Sequence, residues 1–485
     1  MVQHLGSTSL QARVAYAQLR KSGDARLPPA SSSAWPLTAA SSVLEMGCSA
    51  QALLIRLRYS PFIRNVVIVM SGIAIAQVLG FALSPVISRL FTPGDFGVFG
   101  SFISITNITA AGVTLEYSQA IVLPRKNEDA FHLFVIACLA TLTVSLVCAI
   151  ACLVLPHSIN RLIGTNNGWA HVFLVLATLA AGLNSSCQAW CVRAKAFKHT
   201  SSSQVIRSVS SNSLQITLGY FKAGAPGLII GDVLANVLAS ASLFRVMLPD
   251  MRVLRPLVRW ERIRRVAREY RDFPMYSASQ NVINALSTGL PVLLLTQYYG
   301  IGVAGAYAFG MRVLGVPMAF VHRALRQVLL QRAAESQHDG QRLSPLYIRT
   351  TLGLLCVAVL PALVLGIWAP WIFSTIFGNQ WYSAGELASR LVPWLLFSFC
   401  NLPAALFARI IRVQRMVFMY DLVLLALRTL ALVLGGLHLE ASETVLLYSL
   451  VGAIMNAVLV LLVGNALRQR ERATTGRNDH HASYG

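Results

Sequence analysis

Three arginines lie inside long apolar stretches of this chain: Arg312, Arg390 and Arg428. A charged side chain in a lipid-buried helix is costly, so such residues face a wet cavity or a partner rather than lipid. A guanidinium presents a planar fork of donors that suits phosphate, and partial dehydration strengthens the attraction. Arg312, the deepest of the three, is therefore the leading candidate for gripping an anion such as a diphosphate, with an interhelical ion pair as the alternative. Arg390 follows Glu386 at i,i+4, an orientation that also favours an intrahelical pair. Arg428 and Asp421 share a helix face two turns apart, which leaves substrate contact and pairing both open.

The clearest acid within an apolar run is Glu116. A carboxyl that alternates between water and an occluded environment can take up and release H⁺ or Na⁺, which makes Glu116 the ion-coupling candidate. The opposing reading has it reaching the interface beside Arg125 and Lys126. Asp232, early in the sixth run (226–247) and close to the outer surface, reads as solvated. Asn107, Gln280 and Asn284 add polar capacity, either toward a cavity or as interhelical hydrogen bonds. No HExxH, glycine-rich phosphate loop or G-x-S-x-G is present, and the eight cysteines form no CxxC. The sequence thus predicts no catalytic residues, no metal ligands and no cofactor, and the chain reads as a non-enzyme.

The elements that must position these residues follow from composition. Only 12% of the 485 residues are charged and 55% are apolar, with a mean hydropathy of +0.60. A soluble domain carries about 25% charged residues. This chain belongs in lipid. Twelve apolar runs between residues 66 and 465 approach the ~20 residues a helix needs to cross a bilayer, among them 97–121, 204–221 and 275–297. The run at 204–221 is polar in its first half (Ser208, Ser210, Ser211, Asn212, Ser213), so it must be shielded from lipid.

Of the 40 Lys and Arg, 34 fall on the side that this count assigns to the cytoplasm. Three (Arg89, Arg161, Lys222) fall on the other side, and three lie within spans. The positive-inside rule then places both termini in the cytoplasm and accounts for the net charge of +21 without nucleic acid as a partner. The expected domains are a disordered tail (1–60), a six-helix lobe (61–247), a basic linker (248–272), a second six-helix lobe (273–467) and a tail (468–485). In the linker, Ile263, Val266, Ala267 and Tyr270 share one helix face, which suits either the inner headgroups or a solvated linker helix. Trp368, Trp371, Trp381, Tyr382 and Trp394 read as an interfacial aromatic belt.

A weak internal echo supports two parallel repeats around a central cavity. Ser84-Pro85-Val86-Ile87 parallels Leu290-Pro291-Val292-Leu293, and Gly97-Val98-Phe99-Gly100 parallels Gly305-Ala306-Tyr307-Ala308. The fold class is thus an all-α polytopic membrane protein with about 12 transmembrane helices in two six-helix lobes.

Several ordered pieces carry a resemblance. They are Ser84-Pro85-Val86-Ile87-Ser88-Arg89-Leu90-Phe91-Thr92-Pro93-Gly94-Asp95-Phe96-Gly97 and Ala120-Ile121-Val122-Leu123-Pro124-Arg125-Lys126, then Phe273-Pro274, Arg312-Val313-Leu314 with Pro317, and Gln327-Val328. Phe377-Gly378 with Trp381, Ala384-Gly385 and Pro393-Trp394 complete the set. The chain resembles the polysaccharide-translocase or O-antigen flippase group of the multidrug/oligosaccharidyl-lipid/polysaccharide exporter superfamily. That resemblance implies translocation of an undecaprenyl-diphosphate-linked oligosaccharide across the bacterial inner membrane, for O-antigen, capsule or exopolysaccharide biosynthesis. It implies ion-coupled alternating access and a cationic cavity that suits Arg312. It also implies membrane lipids, H⁺ or Na⁺, a polysaccharide polymerase and a chain-length regulator as partners. Where the family often has an acid directly after the tyrosine preceding its Ala-Ile-x-Leu-Pro run, this chain has Ser118, with Glu116 before Tyr117. Twelve spans rather than fourteen set it apart from peptidoglycan-precursor flippases. The alternatives are a cation-coupled drug antiporter of the same superfamily and a non-transporting scaffold subunit of a polysaccharide-assembly complex, with a membrane-bound glycosyltransferase last.

Overall fold

The computed structural model describes residues 61–338, 342–411 and 413–482; the expectation of a disordered 1–60 tail lies outside them. Twelve long helices are present among the described residues: α1 (Pro61–Leu90), α2 (Pro93–Gly112), α3 (Asn127–Val154), α4 (Trp169–Arg193), α5 (Phe197–Tyr220) and α6 (Ala225–Leu254). The second half supplies α7 (Ala278–Tyr299), α8 (Ile301–His338), α9 (Leu343–Phe377), α10 (Tyr382–Cys400), α11 (Gln414–His438) and α12 (Ala441–Ala482). Lipid offers no partner for backbone N–H and C=O groups, so each span must satisfy its own as a helix. Local signals set the ends. Thr92 caps α2 in a box with Asp95, just ahead of Pro93, and Gly300, at φ 84°, is the single residue that breaks α7 from α8.

Nine of the twelve are long and apolar enough to cross a membrane by length and composition. The other three are α2, α5 and α7, and each turns a polar face to the interior described below. The expected second span, 97–121, is shorter than the sequence suggested. Gly112, Val113 and Thr114 make a poor helix, Leu115 and Glu116 adopt positive φ (48° and 60°), and a short separate helix follows at Tyr117–Ala120.

α1–α6 and α7–α12 form the two lobes. In the first lobe α4 packs on α3 and α6, and α5 on α6; in the second α10 lies between α9 and α12, and α11 between α12 and α7. The lobes meet where α2 crosses α7 and α8. Packing there rests on small residues, because lipid tails remove the hydrophobic drive between helices and close backbone approach takes its place. A β-carbon on Gly97 would come within 2.7 Å of the Ile301 carbonyl carbon, and one on Gly305 within 2.8 Å of the Pro93 carbonyl carbon. Pro93 and Gly97 are the repeat counterparts of Ile301 and Gly305, so the contact is reciprocal about a pseudo-two-fold axis. Gly100 and its counterpart Ala308 lie on that axis too, the Ala308 methyl standing 2.6 Å from where a Gly100 β-carbon would be.

This seal sits at the end of the molecule poor in basic residues. A core shared by both lobes surrounds it, with Phe91, Phe96, Leu295, Phe309, Phe373 and Trp381 buried together. Trp381 is fully buried, its ring centroid 4.0 Å from that of Phe309 at a 32° tilt; its Nε1 donates to the Ser88 carbonyl at 2.9 Å. It is therefore a core residue and no part of an interfacial belt. Trp368, Trp371 and Tyr382 are exposed.

The linker is more ordered than a loop. α6 runs on to Leu254, and a helix spans Trp260–Glu269. Its Ile263 and Val266 are buried with Tyr117, Phe131, Trp190 and Met247, so its apolar face rests on the first lobe rather than on headgroups. Arg262 pairs with Glu128 of α3. At the other end of the chain α12 continues as helix to Ala482, well past the expected boundary at 467.

Candidate functional site

A cavity of about 740 Å³ lies between the lobes. Its first-lobe wall comes from one face of each of four helices. α2 contributes Ser104 and Asn107, α4 Asn184, Ser185 and Gln188, α5 Arg207, Ser211 and Gln215, and α6 Asp232 and Asn236. Apart from the adjacent pair Asn184 and Ser185, the spacings are three or four residues, so each set is one helical stripe. The second lobe supplies Ser287 and Thr288 of α7, Tyr307 and Arg312 of α8, Trp394 of α10, Arg428 of α11 and Tyr448 of α12.

Arg312 stands in the wall of this cavity and of a smaller connected polar pocket beside α1 and α5. Its Cζ lies 5.9 Å from the Phe96 ring centroid, and it forms no ion pair with a described carboxylate. Arg207 reaches Asp232 at 3.5 Å, and Asn236 donates to the other oxygen of that carboxylate at 3.1 Å. Asp232 also lies in electrostatic reach of Arg312. It is thus a held cavity acid and not the solvated residue near the outer surface that the sequence suggested.

Arg428 is only 6% exposed. Its guanidinium lies 4.4 Å from the Trp394 centroid and 4.6 Å from that of Tyr448, while Nε and Nη2 have no hydrogen-bond partner. Gly452 leaves the room it occupies, since a β-carbon there would come within 2.8 Å of Cζ. Two aromatic faces offset part of the cost of a buried cation, up to about 2 kcal/mol each. The suggested pairing with Asp421 does not form, because that carboxylate faces Gln280 across the α7–α11 contact. Trp394, read from sequence as part of an aromatic belt, is instead a cavity-wall residue.

Arg390 is exposed and lies outside the cavity lining, and it makes no ion pair with the equally exposed Glu386. Glu116 is half-buried in the turn after α2, also outside the lining. Asn107 is in the wall; Gln280 and Asn284 are exposed farther along α7, where the Asn284 carbonyl accepts a hydrogen bond from Thr288, a wall residue. Sequence reasoning missed Arg207, which was counted with the cytoplasmic basic residues although it lies in the run at 204–221. The signal was present in the run Arg207, Ser211, Gln215, an i, i+4, i+8 polar stripe on the one weakly apolar span. Among the described residues the wall therefore carries three guanidiniums against one carboxylate, in a setting rich in hydroxyl and amide groups.

A two-lobed helical bundle around a polar, cationic cavity defines a class of multi-pass membrane protein folds, and solved structures share it. The fold matches that of the lipid II flippase MurJ in an inward closed conformation with a TM-score of 0.66 at 11% identity, covering 82% of this chain and 87% of that one. It matches an inward-facing multidrug resistance MATE family transporter of the MOP superfamily with a TM-score of 0.57 at 14% identity, covering 82% and 96%. The structural likeness to the lipid II flippase is thus at least as strong as that to the multidrug transporter, although the span count read from the sequence had pointed away from it.

The sequence profile of the family described as Polysaccharide biosynthesis protein matches residues 86–386, and the chain belongs to that family. The succinoglycan biosynthesis transport protein ExoT of Rhizobium meliloti (strain 1021) is 23% identical over 320 residues, 64% of this chain. The amylovoran biosynthesis protein AmsL of Erwinia amylovora is 27% identical over 124 residues, 26% of this chain. The matched parts span 62% and 31% of the lengths of those two relatives.

Proposed function

We propose that this protein moves an undecaprenyl-diphosphate-linked oligosaccharide across a bacterial inner membrane for surface polysaccharide biosynthesis, by alternating access of the two lobes. The observation that carries the reading is the surplus of guanidinium in the cavity wall: Arg207, Arg312 and Arg428 face a single acid, Asp232. A diphosphate brings the charge that this surplus lacks, and a sugar chain brings hydroxyls to match the Asn, Gln and Ser stripes. No covalent chemistry is required. The task is to lower the cost, several kilocalories per ion, of taking charge through a low-dielectric core. The name of the ExoT relative, a succinoglycan biosynthesis transport protein, and the MurJ-like fold support this reading.

Asp232 takes the coupling role in this proposal in place of Glu116. It is the acid of the cavity, and a proton or Na⁺ on it would loosen Arg207 and change the charge presented to the substrate. The basic loops orient both termini toward the cytoplasm by the positive-inside rule. A polysaccharide polymerase and a chain-length regulator are the partners that such a step calls for. A drug antiporter of the same fold would favour an acidic cavity, which the charge balance here opposes.

The test is translocation of a fluorescent polyprenyl-diphosphate-linked oligosaccharide by the purified protein in proteoliposomes. Arg312→Ala is expected to slow it roughly 10- to 150-fold, the equivalent of about 1.5–3 kcal/mol for one charge-assisted contact. An unchanged rate rejects Arg312 as the diphosphate contact.

A further inference from the structure

An apolar groove of about 390 Å³ runs along the far side of α8 from the cavity. Its walls are α8, α9 and α10, with Phe81 of α1 at its edge, and Leu314, Met318 and Leu395 typify its lining. Pro317 of α8 and Pro361 of α9 both line it. A proline within a helix removes a hydrogen bond and bends the axis, which keeps these two helices from closing on each other.

The groove and the polar pocket are divided at one level of the same two helices. Gly80 and Arg312 line the polar pocket, whereas their immediate successors Phe81 and Val313 line the groove. Consecutive helical residues point about 100° apart, so α1 and α8 together carry a charged face and an apolar face at the same depth. Arg312 is eleven residues from the start of α8, or ~17 Å at 1.5 Å per residue, which is near the middle of a ~30 Å hydrocarbon core.

We infer that this groove holds the first isoprene units of a polyprenyl diphosphate whose head is at Arg312, an inference that rests on the reading proposed above. The described lining has no charged side chain, which disfavours a sugar or a phosphate as occupant. An ordinary phospholipid keeps its head at the interface. A lipid whose diphosphate is drawn to mid-membrane by Arg312 must place the start of its tail at the same depth, and the groove is the apolar volume there. The volume lies within the ~300–1,000 Å³ typical of small-molecule sites.

The experiment uses the full chain in nanodiscs, with farnesyl diphosphate and inorganic diphosphate as probes. Met318→Trp, which fills the groove, is expected to weaken farnesyl diphosphate binding at least tenfold and leave inorganic diphosphate binding unchanged, while Arg312→Gln weakens both. Ala358→Phe, from the opposite wall, gives the same result should Met318→Trp not yield folded protein. A benzophenone-bearing farnesyl diphosphate is expected to crosslink to α8 and α9, with protection by the unlabelled probe. Full farnesyl diphosphate affinity in both groove variants, or crosslinks spread evenly over lipid-facing helices, overturns the groove assignment while leaving the Arg312 reading standing. Failure of the wild type to bind either probe sinks both.

Discussion

Gly97 and Gly305 lie against each other where the lobes are sealed: a β-carbon on Gly305 would stand 2.6 Å from the Gly97 amide nitrogen. The two are repeat counterparts, so one contact made twice closes this end of the molecule. Backbone cannot yield as a flexible side chain does, and a methyl group forced into such a contact costs on the order of 1–3 kcal/mol. Gly305→Ala is therefore expected to disfavour the sealed state. Cysteine placed at Ser101, buried here beside Thr296 at 2.8 Å, in a background free of native cysteines, should become reactive to an aqueous thiol reagent only when Gly305→Ala is also present. Equal protection in both backgrounds shows that this contact does not hold the seal.

The Arg428 niche makes a separate prediction. Gly452→Ala is expected to lower thermal stability by roughly 1–3 kcal/mol, since the guanidinium fills the space that the methyl needs. Adding Arg428→Ala should recover part of that loss, so the two effects should fail to add by ~0.5 kcal/mol or more. Strict additivity in the cycle places the strain elsewhere.

Trp381 separates the core reading from the belt reading. Truncation to Ala in a packed core costs about 3–5 kcal/mol, far more than loss of an interfacial ring. Trp381→Phe keeps the ring contact and loses chiefly the bond to the Ser88 carbonyl, about 1 kcal/mol. Comparable melting temperatures for Trp381→Ala and Trp368→Ala contradict the core assignment.

For coupling, the positions of the two acids decide the expectation. Asp232→Asn should abolish the response of translocation to an imposed proton or sodium gradient, with Asp232→Glu retaining part of it. Glu116→Gln should respond as the wild type does, because Glu116 lies outside the cavity lining. The reverse outcome in the same flux measurement returns the role to Glu116.

Much of the architecture was legible in residue order. Lipid forces spans into helices, so long apolar runs, basic loops and the Gly97/Gly305 echo identified twelve helices and their two-fold arrangement. Arg312 and Arg428 were also legible as candidates, since a cation within an apolar run is conspicuous. The helical stripe through Arg207, Ser211 and Gln215 was equally visible in principle, but mean hydropathy averages over all faces of a helix and hid it.

The sequence alone therefore determined the number of helices, the charge asymmetry between their ends, and which cations needed an explanation. Only the tertiary structure decided which of those cations share one space. It turned Arg390 outward, brought Arg207 and Asp232 together, set Arg428 against Trp394 and Tyr448, and ended α2 before Glu116. Periodicity tells which residues share a face, whereas the partner of that face is chosen by packing between helices far apart in the chain, where a single glycine decides how closely two backbones approach.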